Sequence, residues 1–350
     1  MASYPLPSSS TSSAPPPLLL NPLLTASQIL SSASSHLPDD LVHDLLAYGA
    51  QFIHRLCSLL NLPQRLTATS QILFQRFYAT TSPDRFGVVD VAMACVYLGA
   101  KVEECSAKLK VRDLINCTDW MIDRDRWAEE EAKKRGKGNG WEQKVGSIDG
   151  DEVPSSASAS PNSQEFVYRP HTYHSSIFYA YKDTVVFHEM HILKRLGFHL
   201  EVQLPYATLM NYLNILGVGK DKDVVEACWG FCSDMLQTPC PVLFQPHTLS
   251  LSSIYYLSLL PGSPLPPLPR EPHPWWTLFD VTLEEMRTVC SWLQRLYDGK
   301  DGTASRVREE WGGMGSLAKK DGIRGWIQRR DEGNGKDEED FESGRKSPAG

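Results

Sequence analysis

The sequence predicts an all-α protein whose helices form two consecutive sets. Apolar residues recur at three- and four-residue steps over most of the chain, which is the spacing of one helical face. The first set contains a helix that is apolar almost all round, as expected of a helix buried on every side, and the second set contains one that is very apolar at its centre. The two sets also echo each other in pattern. With 350 residues, of which 41% are hydrophobic, the chain is long enough for two ordinary domains or one large one.

The first two helices are predicted from periodicity and from the residues at their ends. Apolar residues over Leu41–Leu59 fall on one helical face. Asp39 and Asp40 precede them, and negative charge stabilises the start of a helix through its dipole. Pro63 can open the second helix, which runs to Tyr78.

The third helix is predicted to be the central element of the first set. The run Phe86–Leu98 is apolar with almost no polar face, so other helices are expected to pack around it. A buried strand is the alternative for part of this run. Ala92, Met93 and Ala94, together with the length of the run, favour a helix.

A long insert is predicted after a short fourth helix. Val111–Cys117 carries the helical pattern, and from about 123 to 169 the chain is charged, then Gly-rich, then Ser-rich. A segment of this length and composition is typical of a disordered surface loop. The helical pattern resumes at Ile177 and ends at Leu196, where Gly197 is suited to cap the fifth helix.

The second set has four predicted helices, with a proline-rich loop carrying Trp275 and Trp276 before the last of them. Its central apolar helix can be aligned with that of the first set, residues 94–99 on 253–258. We favour duplication of one helical unit as the explanation, with chance similarity between two apolar helices as the alternative. The predicted helices are Pro205–Leu216, Asp223–Leu236, Phe244–Leu260 and Leu283–Tyr297.

Composition narrows the class of protein. The net charge of -7 argues against broad nucleic-acid binding, which needs a basic surface. The 8 cysteines show neither a CxxC pair nor zinc-ligand spacing, so we expect reduced thiols and a cytosolic or nuclear protein. Neither a signal peptide nor a membrane span is expected, because no run reaches the roughly eighteen apolar residues that a span requires.

No motif of an enzyme is present in the sequence. It lacks a Gly-rich phosphate loop, GxSxG, HExxH and the kinase catalytic-loop motif. His171 and His174 lie beside the insert without an acidic ligand on a shared helical face, which favours surface histidines over a metal site. Glu103 and Glu104 stand at a helix end, where carboxylates are usually solvated or bind a partner's cation. We therefore expect no catalytic residue, no metal and no cofactor.

The third helix is predicted to end in YLGAKVEE at 97–104, where the apolar residues of a buried helix are followed directly by charged residues. This segment resembles the end of the third helix of a cyclin box, where a run of the form YLASKxEE is typical. Further segments resemble cyclins, most of all cyclin L, with cyclin K and the C-terminal-domain kinase cyclins next. These segments are LPQ at 62–64 with ILFQRF at 72–77, EMHILKRLGF at 189–198, FQP at 244–246 with IYYL at 254–257, and PWWTLFD at 274–280.

The resemblance covers roughly residues 21–297 outside the insert and implies a domain organisation. It implies two tandem five-helix cyclin boxes, the second partly degenerate, with a long disordered insert in the first. The implied divisions are a disordered Ser/Pro-rich tail at 1–20, an N-terminal cyclin box at 21–200 with its insert at about 123–169, a C-terminal cyclin box at 201–298, and a mostly disordered tail at 299–350.

The resemblance also implies a set of kinase-binding residues. In cyclins a Lys at the end of the third helix and a Glu on the fifth helix form hydrogen bonds with backbone groups beside the kinase's mobile C helix. For the matching residues of this chain, the alternative is an ion pair at the surface that binds no partner. An apolar pair after the fifth helix packs on the kinase in cyclins, and capping of this domain's own core is the alternative for that pair. The implied kinase-binding residues are Lys101, Val102, Glu104, Glu189, Phe198 and Leu200.

The implied function is regulatory. We expect a nuclear protein that forms a heterodimer with a cyclin-dependent protein kinase and activates it in RNA polymerase II transcription or RNA processing, without membrane or direct nucleic-acid binding. One alternative is a two-box nucleic-acid-binding factor like basal transcription factor B, and the lack of Lys and Arg over Pro239–Pro261 counts against it. The other is a kinase-independent cyclin-fold scaffold, against which the presence of Lys101 and Glu189 counts.

The sequence departs from cell-cycle cyclins in one respect, since it lacks their docking motif Met-Arg-Ala-Ile-Leu. The first helix has GAQFIH at 49–54 instead. We therefore expect no substrate docking through the groove that this motif forms in cell-cycle cyclins.

Overall fold

The computed structural model describes residues 23–25, 37–138, 166–266, 274–298 and 321–330. The regular elements of these residues are helices, and the all-α prediction is confirmed. In the first set, α1 is Asp39–Leu59, α2 is Gln64–Tyr78, α3 is Val88–Val102, α4 is Val111–Gly138 and α5 is Ser176–Arg195. In the second set, α6 is Tyr206–Ile215, α7 is Lys222–Met235, α8 is Cys240–Leu243, α9 is Pro246–Leu259 and α10 is Leu283–Tyr297, with a 3-10 helix at Trp275–Leu278.

Each set is built around one buried helix, as the sequence predicts. In the first set α3 packs against α1, α2, α4 and α5, and its apolar side chains from Val88 to Val96 are buried. In the second set α9 has the same place among α6, α7, α8 and α10, and it is buried from Leu249 to Leu257. A helix without a polar face takes this position because any exposed side would leave apolar surface in water.

The helix α2 contributes to the cores of both sets. Phe77 belongs to the first core, whereas Ala68 and Ile72 belong to the second. The buried Arg76 donates from Nη1 to the carbonyl oxygen of Glu201, 2.9 Å away, in the segment that links the sets. Burial lowers the pKa of Arg76 to about 10, so its guanidinium still carries its charge at neutral pH. These contacts fix the two sets relative to each other.

A glycine at position 49 lets α1 approach α2 and α3 closely. A Cβ added there would lie 2.3 Å from Cζ of Phe74 and 2.6 Å from Cγ1 of Val88. We expect Gly49→Ala to lower the free energy of unfolding by about 1–3 kcal/mol, the usual effect of overpacking a core, as measured by urea denaturation. Gly230→Ala on α7 is the matched control, because nothing lies within 4 Å of its added Cβ. The control should be neutral or stabilising, and an equal loss in both variants would contradict this account.

The fourth helix is longer than the sequence analysis predicts. The prediction was a short helix over Val111–Cys117 and a disordered insert from about 123, whereas α4 continues to Gly138. Apolar residues continue at helical spacing, with Leu114 and Met121 buried, and many of the charged residues that follow are good helix formers. The start of the predicted insert is therefore helical. The remaining stretch, 139–165, lies outside the described residues.

The chain that follows the insert lies along α4. The ring of Phe166 lies 6.0 Å from that of Trp127, measured between centroids. The Asp119 carboxylate accepts a hydrogen bond from Oη of Tyr181 on α5 at 2.8 Å, and it pairs with Nε2 of His171 at 2.9 Å. Burial and the hydrogen bond to Asp119 raise the pKa of Tyr181, so its hydroxyl remains a donor at neutral pH. Asp119 thus connects α4, α5 and the segment between them.

A further helix lies at 321–330, inside the tail that the sequence analysis predicts to be mostly disordered. Ile323, Trp326 and Ile327 follow helical spacing, and Ile323 is buried in the first core. The pattern was easy to miss in the sequence, because the stretch is short and contains two glycines, which are poor helix formers. The rest of 299–350 lies outside the described residues.

Two further observations concern the apolar length of the helices and the state of the cysteines. Among the described helices, none is long and apolar enough to cross a membrane. All eight cysteines are free, and six of them are buried. Burial raises the pKa of the Cys57 thiol to about 12, which makes it an unreactive small hydrophobic side chain.

Candidate partner-binding site

The end of α3 meets the middle of α5 in an ion pair. Nζ of Lys101 donates to Oε1 of Glu189 at 2.6 Å. The Lys101 side chain is 44% exposed and the Glu189 side chain 11%. The ammonium also lies 4.3 Å from the centre of the Tyr97 ring, a cation–π contact. The two residues predicted to act together are therefore adjacent, although they are far apart in the sequence.

Local structure explains how these two side chains come together. Lys101 lies in the last turn of α3, where the helix dipole favours a positive charge. Glu189 lies between the buried residues Val185 and Ile192, which pack α5 into the first core. Because α3 and α5 pack side by side, Lys101 and Glu189 meet at the seam between these helices, with the Lys101 side chain exposed and the Glu189 side chain largely buried.

The turn that follows α3 presents Glu104 to solvent. Glu104 has a φ of 54°, which is rare for a residue other than glycine. The amide of Cys105 donates to the carbonyl oxygen of Ala100 at 2.8 Å, which closes the end of the helix. Glu104 is exposed, whereas the neighbouring Val102 is partly buried and packs on the first core.

The turn that follows α5 has a similar form. Gly197 and Phe198 both have positive φ angles, 57° and 63°. The Phe198 ring is nevertheless 66% exposed, so this strained conformation holds a large apolar side chain in solvent. Leu200 is partly buried and packs on the first core. Among the described residues, the non-glycine residues with positive φ are Asn61, Glu104 and Phe198, so two of the three belong to the predicted set.

An exposed apolar stripe on α5 lies beside the ion pair. Tyr179, Val186 and Met190 are spaced so that they share one helical face, and they are 52%, 50% and 46% exposed. Val186 precedes Glu189 by three residues, and residues three apart are neighbours on a helix surface. The stripe therefore continues the surface that Lys101 and Glu189 form.

A cluster of aromatic rings and imidazoles lies along the next part of α5. Phe187 contacts His191 with ring centroids 4.4 Å apart, and Phe86, which precedes α3, lies 5.1 Å from the same imidazole. Burial, followed by the charge of Lys194, lowers the pKa of His191. The lowered pKa favours the uncharged imidazole, which packs between the two aromatic rings.

The structure divides the six predicted site residues into two groups. Lys101, Glu189, Glu104 and Phe198 lie where α3 and α5 end or meet, all of them exposed except the largely buried Glu189, whereas Val102 and Leu200 pack against the protein's own core. The stripe on α5 is not among the residues predicted from the sequence. Its signal was present, because these apolar residues fall outside the buried face of an otherwise periodic helix.

The histidine that follows the insert most closely, His171, has partners within the protein. His171 pairs with Asp119, and its backbone amide donates to Oδ1 of Asn116 at 2.9 Å. Over the part of the chain that the structure describes, no group of three or more His, Cys, Asp or Glu side chains is arranged to hold a metal ion.

Comparison with known proteins shows which class of protein has this domain and this fold. The sequence description of the cyclin N-terminal domain matches residues 26–133. A chain in the crystal structure of the yeast RNA Pol II CTD kinase CTDK-1 complex has the same fold, with a TM-score of 0.51 at 15% identity over 80% of this chain and 74% of that chain. The chain therefore contains a cyclin N-terminal domain.

The relatives include L-type cyclins. Cyclin-L1 of Gallus gallus is 32% identical over 269 residues, which are 77% of this chain and 42% of that protein. Cyclin-L2 of Homo sapiens is 31% identical over 269 residues, 77% of this chain and 43% of that protein. The predicted resemblance to the cyclin family and to cyclin L is confirmed. The chain spans less than half the length of these curated relatives.

Proposed function

We propose that this chain is a regulatory subunit that binds a cyclin-dependent protein kinase and activates it, in the nucleus, for RNA polymerase II transcription or RNA processing. The observation that carries the proposal is the Lys101–Glu189 pair at the seam of α3 and α5, 2.6 Å apart and open to solvent on the lysine side. The catalytic residues belong to the kinase, and this chain supplies a binding surface.

The chemistry of the pair suits a protein backbone as its partner. An ammonium has three donors and a carboxylate several acceptor sites, so each group can keep its mutual bond and also bind a carbonyl or an amide. Such charge-assisted bonds are stronger than those between neutral groups. The Glu189 carboxylate is largely buried, so its bond to Lys101 also compensates a charge within the fold, whereas the Lys101 ammonium is 44% exposed and has donors left for a partner.

The surroundings of the pair suit the packing of a partner helix. The stripe of Tyr179, Val186 and Met190 and the exposed Phe198 place apolar surface next to two charges. A few apolar anchors with charged neighbours are typical of protein interfaces. Strain at Phe198 supports the same role, because backbone strain is often found at binding sites.

Activation would follow from the position of the kinase's mobile C helix. If this surface holds that helix inward, the Lys–Glu ion pair within the kinase can form, and its nucleotide site becomes competent. The surface thus acts by binding one of two kinase conformations more tightly than the other. The link to transcription is supported by the printed name of the yeast complex, whose kinase acts on RNA Pol II CTD.

Phosphotransfer assays test this function. We expect the purified chain alone to transfer no phosphate from ATP to a peptide of the polymerase C-terminal domain. Adding a cyclin-dependent kinase that is inactive by itself should yield phosphorylation that saturates with the chain. Phosphorylation by the chain freed of kinase would contradict a regulatory role. Tight nucleic-acid binding without any effect on kinases would favour a factor of the B type.

A further inference from the structure

The carboxylate of Glu103 is buried at the end of α3. Its side chain is 7% exposed, in contrast to the exposed Glu104 that follows it. Oε1 of Glu103 accepts a hydrogen bond from Oγ1 of Thr69 on α2 at 2.6 Å, and Thr69 is itself fully buried. The other carboxylate oxygen contacts the guanidinium of Arg65, which is also on α2. Glu103 therefore faces α2 and leaves no surface for a partner.

This bond connects the exit of α3 to a rigid part of the fold. Glu103 lies between Lys101 and Glu104, so its anchorage restricts the backbone that orients both side chains. The same turn is held by Ser106, whose Oγ donates to the carbonyl oxygen of Ala100 at 3.2 Å. A buried carboxylate is costly unless it is paired, and Thr69 and Arg65 supply that pairing.

We propose that Glu103 is a positioning residue of the partner-binding site, which acts on kinase affinity by fixing Lys101 and Glu104 without touching the kinase. This inference rests on the proposed function. Preorganised side chains bind more tightly because less conformational freedom is lost on association. The buried bond to Thr69, more than the contact with the exposed Arg65, should carry the effect, because ion pairs at the surface contribute little.

The test compares substitutions at both ends of the bond. We expect Glu103→Ala and Thr69→Val each to raise the dissociation constant for the kinase about tenfold, the size of coupling found within one hydrogen-bond network. Glu103→Gln should stay near the wild-type affinity, because its amide oxygen still accepts from Thr69. In a background of Lys101→Ala, Glu103→Ala should raise the dissociation constant by a smaller factor than in the wild-type chain, because one of the two side chains that it positions is then missing.

Asp125→Ala is the matched control. Asp125 also accepts hydrogen bonds that join two helices, from Oη of Tyr48 at 3.1 Å and Nη2 of Arg55 at 3.1 Å, but these join α4 to α1. Asp125→Ala should lower the melting temperature without changing kinase affinity, when affinity is measured well below that temperature. Equal affinity losses in Asp125→Ala and Glu103→Ala, or no loss in Glu103→Ala, would overturn the inference. Failure of the wild-type chain to bind any such kinase would instead overturn the proposed function.

Discussion

Replacing Lys101 and Glu189 together by alanine is expected to raise the dissociation constant of the kinase complex at least about tenfold. Losing a charge-assisted hydrogen bond at a desolvated interface costs about 2–5 kcal/mol, part of it from stranding the partner group, and about 1.4 kcal/mol corresponds to a factor of ten. Each single substitution should weaken binding as well. The two losses should sum to more than the loss in the double variant, because both side chains hold the same stretch of kinase backbone.

Titration of the kinase against wild type, both single variants and the double variant measures these constants. Thermal melts of the same samples provide the control, because removing Lys101 takes the ion-pair partner from the largely buried Glu189 carboxylate and can lower stability, so affinity is measured well below each melting temperature. Glu189→Gln retains the shape of the largely buried side chain and separates loss of charge from loss of packing. If the double variant folds and binds like wild type, the role of the pair at the interface is contradicted.

Polar substitution of the α5 stripe is expected to have an effect of similar size. Val186→Gln combined with Met190→Gln places two amides where the kinase would cover apolar side chains, and an amide without a hydrogen-bond partner costs about 1–3 kcal/mol when buried. We expect the dissociation constant to rise at least about tenfold. Stability should change little, because both side chains are about half exposed and Gln is a good helix former.

Ile215→Gln is the control for the stripe. Ile215 is 65% exposed and ends α6 in the second set, away from the seam of α3 and α5. The substitution replaces one exposed apolar side chain by the same amide that the stripe variant introduces twice, and kinase affinity should stay at the wild-type value. Equal weakening in the control and the stripe variant would indicate a general effect of surface polarity, and it would contradict a specific interface on α5.

The fold was predictable because its strongest signals are local. Helices such as Val88–Val102 and Pro246–Leu259 lack a polar face, and that property alone places them at the centre of a bundle. The end of α4 was not predictable in the same way. Charged residues after Cys117 fit both a solvated helix and a loop, and only contacts such as that of Trp127 with Phe166 decide between them.

The candidate site was predictable in part. The family resemblance pointed to Lys101 and Glu189, which the fold brings within 2.6 Å, and no spacing in the sequence could have given that contact. The sequence also could not separate Glu103 from Glu104, because they are identical and adjacent. Helix packing decides that one carboxylate meets Thr69 and the other meets solvent. Tertiary contacts of this kind are the part of the site that periodicity does not encode.

Parallel affinity purification of wild type and the Lys101→Ala/Glu189→Ala variant from cells, followed by mass spectrometry, tests the central claim most directly. The account predicts that a cyclin-dependent protein kinase co-purifies with the wild-type chain in near-equal amount and is depleted from the variant, while both chains remain folded. Recovery of no protein kinase with the wild-type chain, or of the same kinase in equal amount with both chains, would contradict it.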